Sequence, residues 1–233
     1  MPASQEKHNP SLCLVVIAVL VLALPLSAQA SPASVPPPTY NPPDSTNTEQ
    51  ATLSGGCFWG MQGVYEHVKG VEHVYAGYTG GSAATAKYET VSTGTTGNAE
   101  SVQITFNPQM VSYGQILQIY FAVAADPTEL NYQGPDNGPQ YRSEIWYATP
   151  TQQKIAAAYI AQLSGAHAFP APIVVRLGPA RSFYQAEQYH QDFLVQHPDY
   201  PYIVFNDIPK VQALQTQFPA LYQAKPVTVF PLN

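Results

Sequence analysis

Six consecutive residues, Gly55-Gly56-Cys57-Phe58-Trp59-Gly60, restrict the possible architecture of this chain more than any other stretch. Residues 51–54 ahead of them read as a short strand, while Met61, Val64, Tyr65 and Val68 behind them recur at helical spacing. The cysteine is therefore predicted at a strand-to-helix junction. Glycines at 55 and 56 open backbone angles closed to other residues and let another molecule come close, and Phe58 and Trp59 offer apolar walls. A helix N-terminus presents unpaired N–H groups and the positive end of the macrodipole. The position thus predicts that the Cys57 thiol, ordinarily near pKa ~8.5, is brought down to roughly 7 or below, making the sulfur a nucleophile. The plain alternative is a small buried hydrophobe, as lone cysteines often are. The glycine and aromatic flanks argue against it.

The 233 residues leave room for one domain with a sizeable core. A formal charge of −6 and the absence of any Lys/Arg run supply no electrostatic footprint for nucleic acid or an anionic membrane, so neither is expected as a partner. The N-terminus has the pattern of an export signal. Lys7 and His8 precede an apolar run over residues 12–26, and Ala28-Gln29-Ala30 supplies a small-x-small cleavage site. Residues 1–30 are thus expected to be a cleavable signal peptide, with an exported, periplasmic protein and no stable membrane association after cleavage. An uncleaved anchor is the alternative, although Pro25 interrupts the run. The other cysteine, Cys13, lies inside that run and would leave with it. Cys57 would then be a lone cysteine in a compartment that favours disulfides, which points to chemistry. Residues 31–49, rich in proline, are expected to be an extended, mobile tether, and residues 50–233 the folded domain.

Within that domain, residues 71–79 read as a strand running into a glycine turn at Gly80 and Gly81, and residues 100–106 as an alternating, half-buried strand. Ser112 with Gln115 forms a capping box for a helix whose Tyr113, Ile116, Leu117, Tyr120 and Val123 share one face. Residues 126–141 form a long Gly/Pro loop carrying Asp136, of a length that usually serves function or is disordered. A strand is predicted over 144–148, a helix from Thr149-Pro150 with Gln152 closing its box, a strand over 173–177, a helix over 187–196, and a C-terminal helix through Val211, Leu214, Phe218 and Leu221. The pattern is an α+β, two-layer fold, a mixed sheet covered by helices.

The motif GCFWG, followed in order by Ala76-Gly77-Tyr78-Thr79-Gly80-Gly81, Gly97-Asn98-Ala99-Glu100 and Asp136-Asn137-Gly138-Pro139-Gln140-Tyr141-Arg142-Ser143, resembles the A-type peptide methionine sulfoxide reductases over residues 51–222. The resemblance implies a ferredoxin-like core and reduction of methionine-S-sulfoxide, free or in proteins. It makes Cys57 the nucleophile toward the sulfoxide sulfur, with Phe58 and Trp59 holding the methyl group. Glu100 becomes the acid that protonates the sulfoxide oxygen, Tyr88 and Tyr141 donate hydrogen bonds to that oxygen, and Asp136 orders the network and reaches substrate through water. Such an acid must stay neutral near pH 7, so Glu100 is expected to be desolvated with a raised pKa. Turnover would leave a sulfenic acid on Cys57.

Two departures stand out. Asn98 occupies a position where the family often has histidine. Residues 207–233 contain no cysteine, where many members carry resolving ones. With no bound cofactor, the sulfenic acid is expected to be reduced by an external thiol, either a thioredoxin-like or glutaredoxin-like partner or a small thiol. His67, His73, His167, His190 and His197 show no zinc-ligand spacing, and His190 is expected to be structural. Two rival readings remain: cysteine-dependent acyl transfer with His190 or His73 as base, and a non-catalytic module binding Met-containing peptides.

Overall fold

A computed structural model of the chain describes Met1 and residues 35–231, so the expected signal peptide and the first residues of the tether lie outside the described residues. The elements run in chain order as β1 (Glu49–Ser54), α1 (Phe58–Glu66), β2 (Val71–Thr79), α2 (Tyr88–Val91), β3 (Ala99–Phe106) and α3 (Tyr113–Ile119). There follow the paired two-residue strands β4 (Tyr132–Gln133) and β5 (Asp136–Asn137), then β6 (Glu144–Tyr147), α4 (Pro150–Gly165), β7 (Arg176–Pro179), β8 (Phe183–Gln185), α5 (Phe193–Gln196) and α6 (Ile208–Gln217).

Six strands form one sheet in the order β7-β6-β1-β3-β2-β8. Only β6 and β7 pair parallel; the other neighbours are antiparallel. Since β1 and β2 both run antiparallel to β3 between them, α1 is the crossover linking two strands of the same direction. The central order β6-β1-β3-β2 is the ferredoxin-like arrangement, so the expected fold class is the one observed. β3 lies between β1 and β2, and at its start Ala99, Glu100, Ser101 and Val102 are consecutively buried. A carboxyl at the head of that strand is thereby removed from water.

Every residue of α1 except Trp59 is buried, which makes it the packed centre of the molecule rather than an amphipathic cover. Close packing on α1 depends on Gly60, where an added Cβ would lie 2.1 Å from Oδ1 of Asp207, the residue preceding α6. The capping box of α3 forms as expected, Ser112 and Gln115 exchanging hydrogen bonds. At α4, Thr149 Oγ1 accepts from the Gln152 N–H, but the Gln152 side chain accepts from Ala148 N and donates to Glu49 and Gln50, fastening the helix to β1 instead of closing a box.

Three expectations are corrected. The helix predicted over 187–196 is broken into a single 3-10 turn at Gln188–His190 and the short α5, with Asp192 in the left-handed region at φ 56°. Tertiary hydrogen bonds outcompete the helix there: the Gln191 amide bridges the N–H and C=O of Ala76, and the Asp192 carboxylate accepts from the N–H groups of Val229 and Phe230. The strand expected over 173–177 shifts to Arg176–Pro179, because Val174 N–H donates to the carbonyl of Pro127 in a loop.

The third correction concerns the tether. From residue 35 onward it is extended but fastened, and Val35 is buried. Prolines cannot donate to a ladder, but their carbonyls accept: Tyr159 OH donates to Pro36 at 2.6 Å, Gln162 Nε2 to Pro37 at 2.9 Å, and Gln118 Nε2 to Val35 at 2.9 Å. Thr39 N–H donates to Gln162 Oε1, and Asn41 Nδ2 to Ser112 Oγ. The segment is thus a strap across α3 and α4. With net hydrogen bonds near 1 kcal/mol each, a chain starting at Asn47 is expected to melt several degrees lower by calorimetry, with kcat unchanged because the strap touches none of the residues around Cys57.

Candidate active site

Cys57 is the N-cap residue of α1, and its side chain caps nothing. Gly56 ahead of it sits at φ 93°, and a Cβ there would lie 2.7 Å from Gln133 Cβ, so only glycine makes this turn. The first free N–H of the helix, that of Phe58, donates to Glu100 Oε2 at 3.0 Å. This single bond joins the start of α1 to the head of β3 and brings the acid beside the sulfur. Glu100 is 3% exposed, and its pKa is pushed up to about 8. Burial is the main cause, opposed by the Phe58 N–H and reinforced by the nearby carboxylates of Asp136 and Asp207.

The thiol behaves differently from expectation. Burial pushes the Cys57 thiol well above its ordinary value, and the fields of Glu100, Asp207 and Asp136 push it further; only the polarity of the nearby Trp59 backbone N–H opposes them. The expected lowering by the helix N-terminus is not realised. One of the N–H groups that would stabilise a thiolate is engaged by Glu100, and three carboxyl groups surround a sulfur excluded from water. The resting site therefore holds two protons, one on sulfur and one on the acid.

Every predicted site residue meets at one cavity of about 220 Å³, lined by Cys57, Phe58, Trp59, Tyr88, Glu100, Asp136 and Tyr141. Burial raises the pKa of Tyr88 and Tyr141, with Glu100 adding to it, so both phenols remain donors. Each is positioned by a charged anchor outside the cavity. Glu187 accepts from Tyr88 N–H at 3.0 Å and from Tyr78 OH at 2.9 Å. Arg142 pairs with Glu144 at 2.7 Å and donates to the carbonyls of Pro139 and Gly97, fixing the turn that presents Tyr141. Asn98, the residue in place of histidine, accepts from Gly81 N–H and donates to Ser82 O and Thr85 Oγ1. It pins the glycine turn leading to α2 rather than touching the acid.

Three contributors escape sequence reasoning. Tyr200 and Tyr202 line the same cavity, and Tyr202 OH donates to Asp136. Asp207 is fully buried against α1 with its pKa raised to about 6, chiefly by burial and opposed by Lys210. The only sequence signal for the tyrosines is their spacing in Tyr200-Pro201-Tyr202, which no periodicity rule singles out. Trp59 is the pivot of this wall: it stacks on Phe193 at 3.8 Å between ring centroids, meets Tyr200 and Tyr202 edge-on, and donates from Nε1 to His190 Nδ1 at 3.1 Å. Burial lowers the pKa of His190, so it is a neutral ring holding the tryptophan in place. Neither His190 nor the exposed His73 lines the cavity with the sulfur, which removes the base that acyl transfer needs. Among the described residues, no group of three or more His, Cys, Asp or Glu is arranged to hold a metal ion.

A thiol, a neutral carboxyl and several phenols around one small aromatic cavity define a thiol-based reductase of an oxygen-bearing group on an α+β scaffold. The family model for peptide methionine sulfoxide reductase matches residues 49–221. The chain is 58% identical over 182 residues to peptide methionine sulfoxide reductase MsrA 2 of Mesorhizobium japonicum, across 78% of this chain and 93% of that one. It is 46% identical over 180 residues to the protein of the same name from Synechocystis, covering 76% and 84% of the two chains. Among solved structures, reduced Mxr1 of Saccharomyces cerevisiae superposes with TM-score 0.60 at 28% identity, over 70% of this chain and 92% of that one. Methionine sulfoxide reductase A of Corynebacterium diphtheriae gives 0.55 at 31% identity, over 65% and 76%. The chain belongs to the peptide methionine sulfoxide reductase family, and it is an enzyme that reduces methionine sulfoxide.

Proposed function

We propose that the chain reduces the S epimer of methionine sulfoxide, in peptides or free, by nucleophilic attack of Cys57 assisted by Glu100. The observation that carries this reading is the bond from Phe58 N–H to the buried Glu100, which sets a carboxyl with a pKa of about 8 beside the only sulfur of the cavity. The sulfoxide methyl packs against Phe58 and Trp59, and the oxygen points at Glu100, Tyr88 and Tyr141. Proton transfer from Glu100 to that oxygen makes the sulfur electrophilic. The resulting positive charge is also what draws the proton off a thiol that burial otherwise keeps neutral. Cys57 attacks the sulfur to form an S–S bond, its proton passing to Glu100; the hydroxyl then moves from the substrate sulfur to Cys57 as that S–S bond breaks, so methionine leaves with two electrons gained and Cys57 is oxidised to a sulfenic acid. Asp136, held by Tyr202, orders the polar side of the cavity and meets substrate through water.

Two equivalents of an external thiol then restore Cys57, releasing water and the thiol's disulfide. No second cysteine follows Cys57 in this sequence, so the donor is a thioredoxin-like or glutaredoxin-like protein or a small thiol. The site of action we infer is the periplasm, on the strength of the N-terminal apolar run and its cleavage motif. Repair of oxidised exported proteins is the role that fits.

The deciding assay is mass spectrometry of a methionine-S-sulfoxide peptide with dithiothreitol, the R epimer serving as control. Loss of one oxygen from the S epimer alone is expected. Equal loss from both epimers, or from neither, would refute the reading.

A further inference from the structure

A second cavity, also about 220 Å³, reaches Cys57. Its own walls come from the end of the π-helical turn after α3, from the β4–β5 hairpin and from the segment entering α6, with Ala125, Glu129, Gln133, Pro135, Asn206 and Lys210 among them. It shares Cys57, Asp136 and Tyr202 with the aromatic cavity, but not Glu100, Tyr88, Tyr141, Phe58 or Trp59. The hydrogen-bonded pair Tyr202 and Asp136 thus stands where the two meet, and Cys57 is the one nucleophilic residue that lines both.

Displacement at sulfur runs in line: the entering thiolate approaches the sulfenic sulfur from the side opposite the departing oxygen. In the sulfenic acid the hydroxyl occupies the place of the former sulfoxide oxygen, among Glu100, Tyr88 and Tyr141, where the acid can protonate it as it leaves. The aromatic cavity then presents the wrong side of the sulfur to a reductant, and it is also where methionine has just been formed. We propose that the second cavity is the entry for the reducing thiol, so that oxidant and reductant reach Cys57 through different mouths. This rests on the sulfenic-acid reading above.

The step balances. A thiol RSH attacks Cys57–SOH, an S–S bond forms as the S–O bond breaks, and water leaves with the thiol's proton. A second RSH then releases RSSR and the Cys57 thiol. The size of the cavity and its polar rim, with Glu129 and Lys210 of opposite charge, suit a thiol no larger than an amino acid, neutral or zwitterionic.

The test separates the half-reactions using Asn206→Trp and Pro135→Trp, which enlarge two lining residues of the second cavity, neither of which lines the aromatic one. Without reductant, a methionine-S-sulfoxide peptide should give one equivalent of methionine per enzyme, at a rate within about twofold of wild type. Rapid mixing of the oxidised enzyme with dithiothreitol or cysteine should then show sulfenic acid reduction, followed by loss of dimedone labelling, slowed tenfold or more in both variants. An unchanged thiol step in both variants overturns the proposal, as does an equal slowing of both half-reactions. Absence of the methionine burst in wild type would overturn the sulfenic-acid reading itself, a result the thiol step cannot mimic. Repeating the reduction with a protein dithiol identifies the source: slowing by the same factor assigns the entry to thiols generally, and slowing of the small thiols alone restricts it to them.

Discussion

Replacing Glu100 with glutamine is expected to lower the rate of sulfoxide reduction by about 10²–10⁴, the usual contribution of a positioned general acid. The amide can still accept from the Phe58 N–H, so the start of α1 stays in place, but it has no proton to give. In the native enzyme the active form is the protonated one, with a pKa of about 8 in the free enzyme, so kcat/KM falls as pH rises through that value. In Glu100→Gln this alkaline limb disappears, which a pH–rate profile reads directly. The same proton sets the pH dependence of stability. The folded state keeps a proton on Glu100 up to about pH 8, while the unfolded chain releases it near its ordinary 4.5, so the native protein loses stability as pH rises across that window. Glutamine resembles the neutral acid at every pH. The variant is therefore expected to melt higher than wild type at pH 7 and to show a flatter dependence of Tm on pH. A variant that melts lower at pH 7, or that keeps the alkaline limb, would show that Glu100 is not the buried neutral acid.

Replacing Cys57 with serine is expected to abolish turnover altogether, with neither a methionine burst nor dimedone labelling of the chain. An alkoxide at this position cannot take up the oxygen as a sulfenic acid does, and a hydroxyl among three carboxyl groups is harder still to ionise than the thiol. The fold should not suffer. Cys57 makes no side-chain cap bond, whereas serine is among the preferred N-cap residues, so Tm is expected to be equal or slightly higher. Peptide binding, measured by calorimetry with a sulfoxide peptide, should persist within a few-fold. Intact binding with no chemistry in the variant, beside full chemistry in wild type, separates an enzyme from a module that only holds oxidised peptides.

What could be read in advance was local. The strand, the glycines, the cysteine and the helix occupy eighteen contiguous positions from 51 to 68, and alternation in β3 and the capping box of α3 likewise need only a few neighbours. Glu100, Tyr88, Tyr141 and Asp136 lie far apart in the chain and were legible only through family motifs, each set by its own turn. Tyr200 and Tyr202 flank Pro201 after α5, on the approach to α6, so no periodicity marks them. The strap is hidden for a similar reason: proline content forbids a ladder, but it says nothing about the donors Tyr159, Gln162 and Gln118 on other helices.

The sequence by itself determined that a cysteine stands at the head of a helix, which acid and phenols accompany it, and which fold carries them, because backbone propensity and motif order act over short distances. Only the tertiary structure decided the protonation of the sulfur and supplied the burial that the neutral acid requires. Cys57 is held as a thiol and Glu100 as a neutral acid because segments distant in sequence exclude water and bring Asp136 and Asp207 within range, and desolvation and Coulomb fields depend on distance in space rather than along the chain.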